Sequence, residues 1–482
     1  MPNFRPILLV LGLLVATIGV GMLLPAAVDA AVDNPDWRVF FAASAVTTFI
    51  GVGVVLANRG TDDALNRRQA FLLTTLAWVI VPAFAALPFV FSELRLSFTD
   101  AYFEAMSGIT TTGSTVISGL DTAPPGILLW RALLQWLGGI GIVVMAVAVL
   151  PMLQVGGMQL FRMESSDTSE KILPRAASIA GALTGLYVGL SALCMLALMA
   201  AGLSAFDAMA HAMTTIATGG FSTSDGSIGS FDSVAVDTIV ILFMLLGSLP
   251  FVLFLQMLRG RPMMLWRDGQ VRAFAGFVVV LVTLVTLWLI TFKGFSPGGA
   301  LRYGAFNVIS VMTGTGFSST DYGQWGAFSI SGFFLIMFIG GCAGSTSCGV
   351  KIFRFQVLFS TMATWVRSLN RPHGVFVAHY NNRPIPDAVI GSVMSFLFLF
   401  LVCFMALALA LSVTGLDYVT ALSGAGTALA NVGPGLGDVI GPAGTFGPLP
   451  DTAKWLLSLG MLLGRLELFT VLVLLTPTFW RS

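Results

Sequence analysis

The sequence predicts an all-α integral membrane protein with ten transmembrane helices, and three observations carry that prediction. Hydrophobic residues make up 56% of the chain and charged residues only 10%, where a soluble globular chain carries about 25% charged residues. The apolar residues run together: 7–27, 39–57, 71–91 and 274–292 each approach the ~20 residues that cross ~30 Å of hydrocarbon. One short Thr/Gly-rich string then recurs four times between such runs.

Taken in order, the first run reads as a span at 6–28. It is long, and no small-residue cleavage site follows it, so it is not read as a removed leader. With 38–57 it makes an N-terminal pair over residues 1–69. The remaining eight spans fall into four hairpins. Spans 70–92 and 127–152 flank a short, less apolar stretch at 100–115, giving repeat 1 (70–180). Spans 181–203 and 234–258 flank 207–222 in repeat 2 (181–268). Spans 271–293 and 327–365 flank 300–318 in repeat 3 (269–384). Spans 387–413 and 453–477 flank 417–435 in repeat 4 (385–482). The eighth span is too long for one helix and is interrupted over 340–350. With the N-terminus inside, 17 of the 24 Lys and Arg residues fall on the inner side and 6 on the outer, the latter including Arg131, Arg302 and Lys454. That bias puts both termini in the cytoplasm and all four short stretches on the outer side.

The four strings are SGITTTGSTVISGLD around Gly113, TTIATGGFSTSDG around Gly220, SVMTGTGFSSTDYG around Gly316 and TALANVGPGLGD around Gly433, spaced 107, 96 and 117 residues apart. Polar, glycine-rich backbone at membrane depth is tolerated only when buried in protein or lining a watery cavity. Four such backbones around one axis would line a pore. A cation leaving water needs replacement oxygens, and backbone carbonyls provide them without a trapping charge. Glycine permits the left-handed conformations that aim carbonyls inward, and short helices ending at the turn point their negative dipole ends at the ion. Asp100 and Asp207 each stand 13 residues before their glycine and are expected as helix N-caps. Tyr303 stands at that offset in the third copy, and Asp417 a turn earlier in the fourth.

These strings, in this frame, resemble the Trk/Ktr/HKT superfamily of potassium transporters over nearly the whole chain, including the two extra N-terminal spans of its longer members. The resemblance implies a potassium filter made by Gly113, Gly220, Gly316 and Gly433 with the two residues before each: Thr111 and Thr112, Thr218 and Gly219, Gly314 and Thr315, Asn431 and Val432. Some sodium-conducting relatives carry serine at the first glycine, so Gly113 favours potassium. The fourth repeat, with Asn431 and Pro434, departs most from the pattern. The interruption GGCAGSTSCGV at 340–350 would be an intramembrane gate loop below the filter, made of Gly340, Gly341, Gly344, Ser345, Thr346 and Gly349 with Cys342 and Cys348. Its alternative is close helix packing through small residues. Arg465 lies inside the last span, where an ionisable residue is expensive. A pore-facing positive charge there would set a barrier to cations, and Glu467, two residues on, does not share its helix face. The resemblance further implies potassium as the transported ion with no organic cofactor, the bacterial inner membrane as location, a homodimer, and a cytosolic nucleotide-binding subunit of the TrkA type.

Other readings are weaker. Glu104 and His211, each nine residues before a glycine, are expected to make buried hydrogen bonds rather than ion contacts. The string at 435–438 matches the GxGD of intramembrane aspartyl proteases, but no span supplies a second aspartate. A secondary carrier would show inverted repeats, whereas these all turn on the same side. The potassium-binding subunit of an ion-pumping ATPase shares the fold and remains the nearer alternative. A net charge of +1 suggests no nucleic-acid partner. No CxxC pattern or secreted-domain spacing links the four cysteines.

Overall fold

The computed structural model of the chain describes residues 4–60, 66–145, 172–381 and 383–481. Those residues are helical apart from turns and a short antiparallel ladder pairing His379–Tyr380 with Arg383–Pro384. Among them, seven helices are long and apolar enough to cross a membrane: Arg5–Ala31, Trp37–Ala57, Arg67–Phe91, Pro125–Val144, Ile179–Ala200, Gly269–Lys293 and Asp387–Val413. Their outer faces stay apolar, with Phe49 80% and Phe398 70% exposed, as suits helices whose surroundings are lipid. The expected span 127–152 is seen as Pro125–Val144. Its end, with Arg162 and Lys171 of the inner count, lies outside the described residues.

Two expected spans are bent rather than straight. Val234–Gly247 and Phe251–Leu258 meet at 94°, and Asp451–Arg465 and Phe469–Leu475 meet at 104°. The first bend has a covalent cause, since Pro250 cannot donate to the helix ladder. The carbonyls of Gly247 and Ser248, left open where the helix breaks, accept from the N–H groups of Thr346 and Cys342. The second has neither Gly nor Pro at its corner. Glu467 (φ 59°) and Leu468 (φ 53°) are held left-handed there, a strain of about 1–3 kcal/mol each, and the Glu467 carboxylate is bound by Arg354. The long eighth span is a helix at Ala327–Ile336, a non-helical stretch, and a helix at Ile352–Asn370.

Four shorter helices lie between these: Phe98–Ile109, Ala205–Ile216, Pro297–Thr313 and Tyr418–Ala430. The first two are capped by Ser97 and Ser204, not by Asp100 and Asp207 as expected. Each serine hydroxyl accepts the aspartate's N–H and donates to its carboxylate. The aspartates instead place negative charge in the positive first turn. The third helix starts at the cap Ser296, well before Tyr303, and the fourth at the expected Asp417. The N-terminal pair is fastened to the rest through Asp29, whose carboxylate accepts the Gly126 N–H at 2.6 Å. That places an anion at the start of the Pro125–Val144 helix, where the dipole favours it.

Candidate cation pathway

All four short helices end alike. The N–H groups of Thr112, Gly219, Thr315 and Val432 reach back to the carbonyls of Ser107, Thr214, Ser310 and Thr427. This is the six-residue closure that ends a helix with one left-handed residue. That residue is Thr111 (φ 52°), Thr218 (φ 49°), Gly314 (φ 72°) or Asn431 (φ 51°). Glycine and asparagine accept the conformation readily. A β-branched threonine does not, so Thr111 and Thr218 are strained sites. Two residues further on, φ is positive again: 89° at Gly113, 77° at Gly220, 83° at Gly316 and 112° at Gly433. A strand with φ of one sign sends successive groups to opposite faces. A left-handed residue at every second position undoes that alternation and lets neighbouring carbonyls face one way.

The four turns touch in a closed cycle. A Cβ on Gly113 would fall on Gly219 O, one on Gly220 on Thr315 O, and one on Gly316 on Val432 O. A Cβ on Gly433 would stand 2.8 Å from Thr112 O, which returns the cycle to the first turn. Across that closing contact Ser114 Oγ donates to Gly433 O at 2.6 Å and Asn431 Nδ2 to Thr112 Oγ1 at 2.9 Å. The expected filter residues of all four repeats are therefore neighbours around one axis.

Each turn is braced from its own short helix. Glu104 accepts from Thr115 Oγ1 and Val116 N–H, His211 contacts Ser222 Oγ through Nε2, and Asn307 bonds Ser319 twice. Ser423 takes the part in the fourth repeat, bonding Leu436. Asn307 went unnoticed in the sequence, although it stands at the offset of Glu104 and His211. Arg131, counted among outer charges, is only 1% exposed and pairs with Glu104 at 2.8 Å. Two other cations of that count pair as well, each with a residue of a different repeat: Arg302 with Asp237 at 2.6 Å and Lys454 with Asp100 at 2.5 Å.

Beneath the turns lies the stretch 340–350. Thr346 Oγ1 donates to Ile216 O (3.0 Å) and Gly247 O (2.9 Å), and Ser347 Oγ to Thr313 O (2.6 Å), so the loop touches the ends of two short helices. Cys348 Sγ is 3.7 Å from Thr111 Oγ1. The loop's own polar groups are used: Gly341 N–H meets Ser347 Oγ, Ala343 N–H meets Gln270 Oε1, Gly344 O takes the Phe251 N–H, and Ser345 Oγ bonds Cys342 O. Gly344 (φ 77°) and Gly349 (φ 73°) turn it, and Gly340 N–H bonds Val350 O to close its base.

Arg465 approaches from the last span. Its Nη1 contacts Cys348 Sγ (2.5 Å) and Thr346 O (3.4 Å), while Nε and Nη2 have no hydrogen-bond partner among the described residues. Glu467 binds Arg354 instead, and Lys351 Nζ donates to Ser347 O. A cavity of about 30 Å³ separates the loop from the last span, lined among others by Cys348, Lys351, Asn431 and Arg465. It has room for a water or two.

The family model TrkH, described as a cation transport protein, matches residues 37–481. The Trk system potassium uptake protein TrkI of Halomonas elongata is 47% identical over 481 residues, covering 100% of this chain and 98% of that protein. TrkH of Salmonella typhimurium is 40% identical over 485 residues, with 100% of both covered. The crystal structure of the potassium transporter TrkH from Vibrio parahaemolyticus matches with a TM-score of 0.92 at 38% identity, covering 100% of both chains.

Proposed function

Because this chain belongs to the TrkH family of cation transport proteins, a family of transporters and not of enzymes, we propose that it is the membrane subunit of a potassium uptake system. Potassium is its cargo, and the ring of turns is its filter. The observation that carries this reading is the closed cycle of four turns, each with the same two left-handed positions. An ion entering the ring exchanges water for the carbonyls of Thr111 to Gly113, Thr218 to Gly220, Gly314 to Gly316 and Asn431 to Gly433. The four short helices end at the ring and lend it their negative dipole ends.

Ten crossings complete this reading: the N-terminal pair over 1–69 and four hairpins over 70–180, 181–268, 269–384 and 385–482, with the bent pairs and the interrupted eighth segment counted as one crossing each. Both termini then face the cytoplasm of a bacterial cell, in its inner membrane. The loop at 340–350 is the gate. Its contacts with the short-helix ends and with Arg465 support a closed state, in which the guanidinium adds an electrostatic barrier below the filter. Opening requires the loop to leave the axis, and a cytosolic TrkA-type subunit that binds nucleotides provides the drive. Two copies of the chain form a homodimer in which each holds its own pore.

The test is cation flux through the purified chain in liposomes, comparing potassium, rubidium, sodium and lithium. Potassium and rubidium flux well above sodium supports the filter. Equal potassium and sodium flux keeps the pore and removes the selectivity. Absence of flux both alone and with the nucleotide-binding subunit rejects the reading.

A further inference from the structure

The oxygen of Gly219 is a node of the ring. Gly113 lies against it, so it sets the spacing between the first and second turns. It is also held from behind. Gln135, fully buried on the Pro125–Val144 helix, donates from Nε2 to Gly219 O at 2.5 Å and accepts the Phe221 N–H on Oε1 at 3.0 Å. One side-chain amide thus clamps the backbone on both flanks of Gly220. A Cβ on Gly219 would overlap that amide, 2.4 Å from its carbon or closer than any contact allows, so glycine at this place belongs to the clamp.

One helical turn earlier on the same face, Arg131 extends the grip. Its Nη1 donates to Ser222 O at 2.8 Å, its Nη2 to Thr115 Oγ1 at 3.1 Å, and its Nε to Glu104. The guanidinium lies 4.1 Å from the centroid of the Phe221 ring. Among the described residues, no side chain of a second span bonds both flanks of Gly113, Gly316 or Gly433. The clamp is therefore particular to the second turn.

We propose that Gln135 is a specificity-determining positioning residue, with Arg131 as its support: the amide fixes the Gly219 carbonyl and so sets the aperture between two quadrants of the filter. This rests on reading the turns as a filter. A carbonyl oxygen has two lone pairs. Gln135 occupies one and leaves the other for the ion, in a direction the clamp determines. Gln135→Leu leaves Gly219 O and Phe221 N–H without their partner. Gln135→Glu keeps an acceptor for Phe221 but puts an oxygen against Gly219 O, so the two repel.

The experiment measures the potassium-to-sodium flux ratio of Gln135→Leu and Gln135→Glu in liposomes. Gln69→Leu, which removes another buried glutamine, one that accepts the N–H of the cap Asn66 at the start of the Arg67–Ala85 helix, is the control. The expected result is a ratio lowered about tenfold in both Gln135 variants, a loss of ~1.4 kcal/mol in discrimination, with the control at the parental ratio. A merely structural role lowers protein yield or total flux in all three and leaves the ratio unchanged, and that outcome overturns the proposal. Should the leucine variant fail to fold, the glutamate variant decides. Thermal stabilisation by potassium relative to sodium in detergent gives a second readout of the same preference. Gly113→Ser separates the two levels of inference. If it lowers the ratio and the Gln135 variants do not, only the clamp falls. If none of them does, the filter reading falls with it.

Discussion

Gly113→Ser is the sharpest probe of the ring because the chain contains a matched control. Gly113 and Gly415 share φ 89°, but a Cβ on Gly113 would fall on Gly219 O whereas one on Gly415 would meet nothing within 4 Å among the described residues. Any L-residue at that φ pays about 1–3 kcal/mol of backbone strain, so serine costs the same at both sites on this account. Only at Gly113 must the neighbouring turn also move to admit the side chain. If the turn relieves that cost by opening, the preference for potassium falls by about 1–3 kcal/mol, between roughly fivefold and 150-fold in the flux ratio. The assay is paired potassium and sodium uptake into liposomes, with thermal inactivation followed on the same preparations. Both variants should inactivate at lower temperature than the parent, and Gly113→Ser alone should lose selectivity. A Gly113→Ser protein with the parental ratio would refute the reasoning, since the contact with Gly219 O would then have no bearing on the ion.

Further expectations follow from other contacts. Arg465→Gln removes the buried charge under the ring and should raise potassium flux through the purified chain alone; unchanged uptake kinetics would exclude a barrier role. Glu104→Leu strands the buried Arg131 and should cost about 3–5 kcal/mol, read as a large fall in thermal midpoint, whereas Glu104→Leu with Arg131→Met should recover part of it. The Thr420 hydroxyl and N–H hydrogen-bond the helix cap Asp417 and hold its carboxyl below the usual carboxylate range. A group depressed on folding stabilises above its unfolded pKa, about 3.9, and that stability is lost as pH falls through the lower folded value. Asp417→Ala should therefore cost about 1 kcal/mol at neutral pH and progressively less in acid below about pH 4. A penalty that stays constant down to pH 2 would dissociate the cap from its charge.

The sequence made the architecture legible because hydrocarbon thickness fixes the length of an apolar run, and because a left-handed backbone position calls for glycine. Gly113, Gly220, Gly316 and Gly433 announced the ring for that reason. The first left-handed position in each turn was harder to read. Thr111 and Thr218 occupy it against their own preference, so no local rule points to them. The bend at Glu467–Leu468 was hidden for the same reason, since tertiary contacts hold it and no Gly or Pro marks it. Pro250 did mark its bend, but the apolar run passes through it unbroken. Arg131 and Gln135 were obscured by register: one sits close enough to the helix start to be taken for a loop charge, the other is a lone amide in an apolar helix. A buried polar residue at membrane depth was the available signal. Ser97 and Ser204 were masked by the aspartates three residues on, which share their turn.

The contact of each glycine with its neighbour's carbonyl also bears on how such a ring can vary. In a pore built from four identical chains, each substitution appears in every quadrant at once, and the closed symmetry must absorb it fourfold. Here one continuous chain supplies all four quadrants, so a change in one is met only by the turn it leans on. The left-handed position already holds Thr, Thr, Gly and Asn, and among the described residues only the second quadrant has both flanks of its glycine bonded by one amide of a spanning helix. Drift in this chain is thus a matter between adjacent pairs, and a lopsided aperture, unreachable for a homotetramer, lies within single mutational steps.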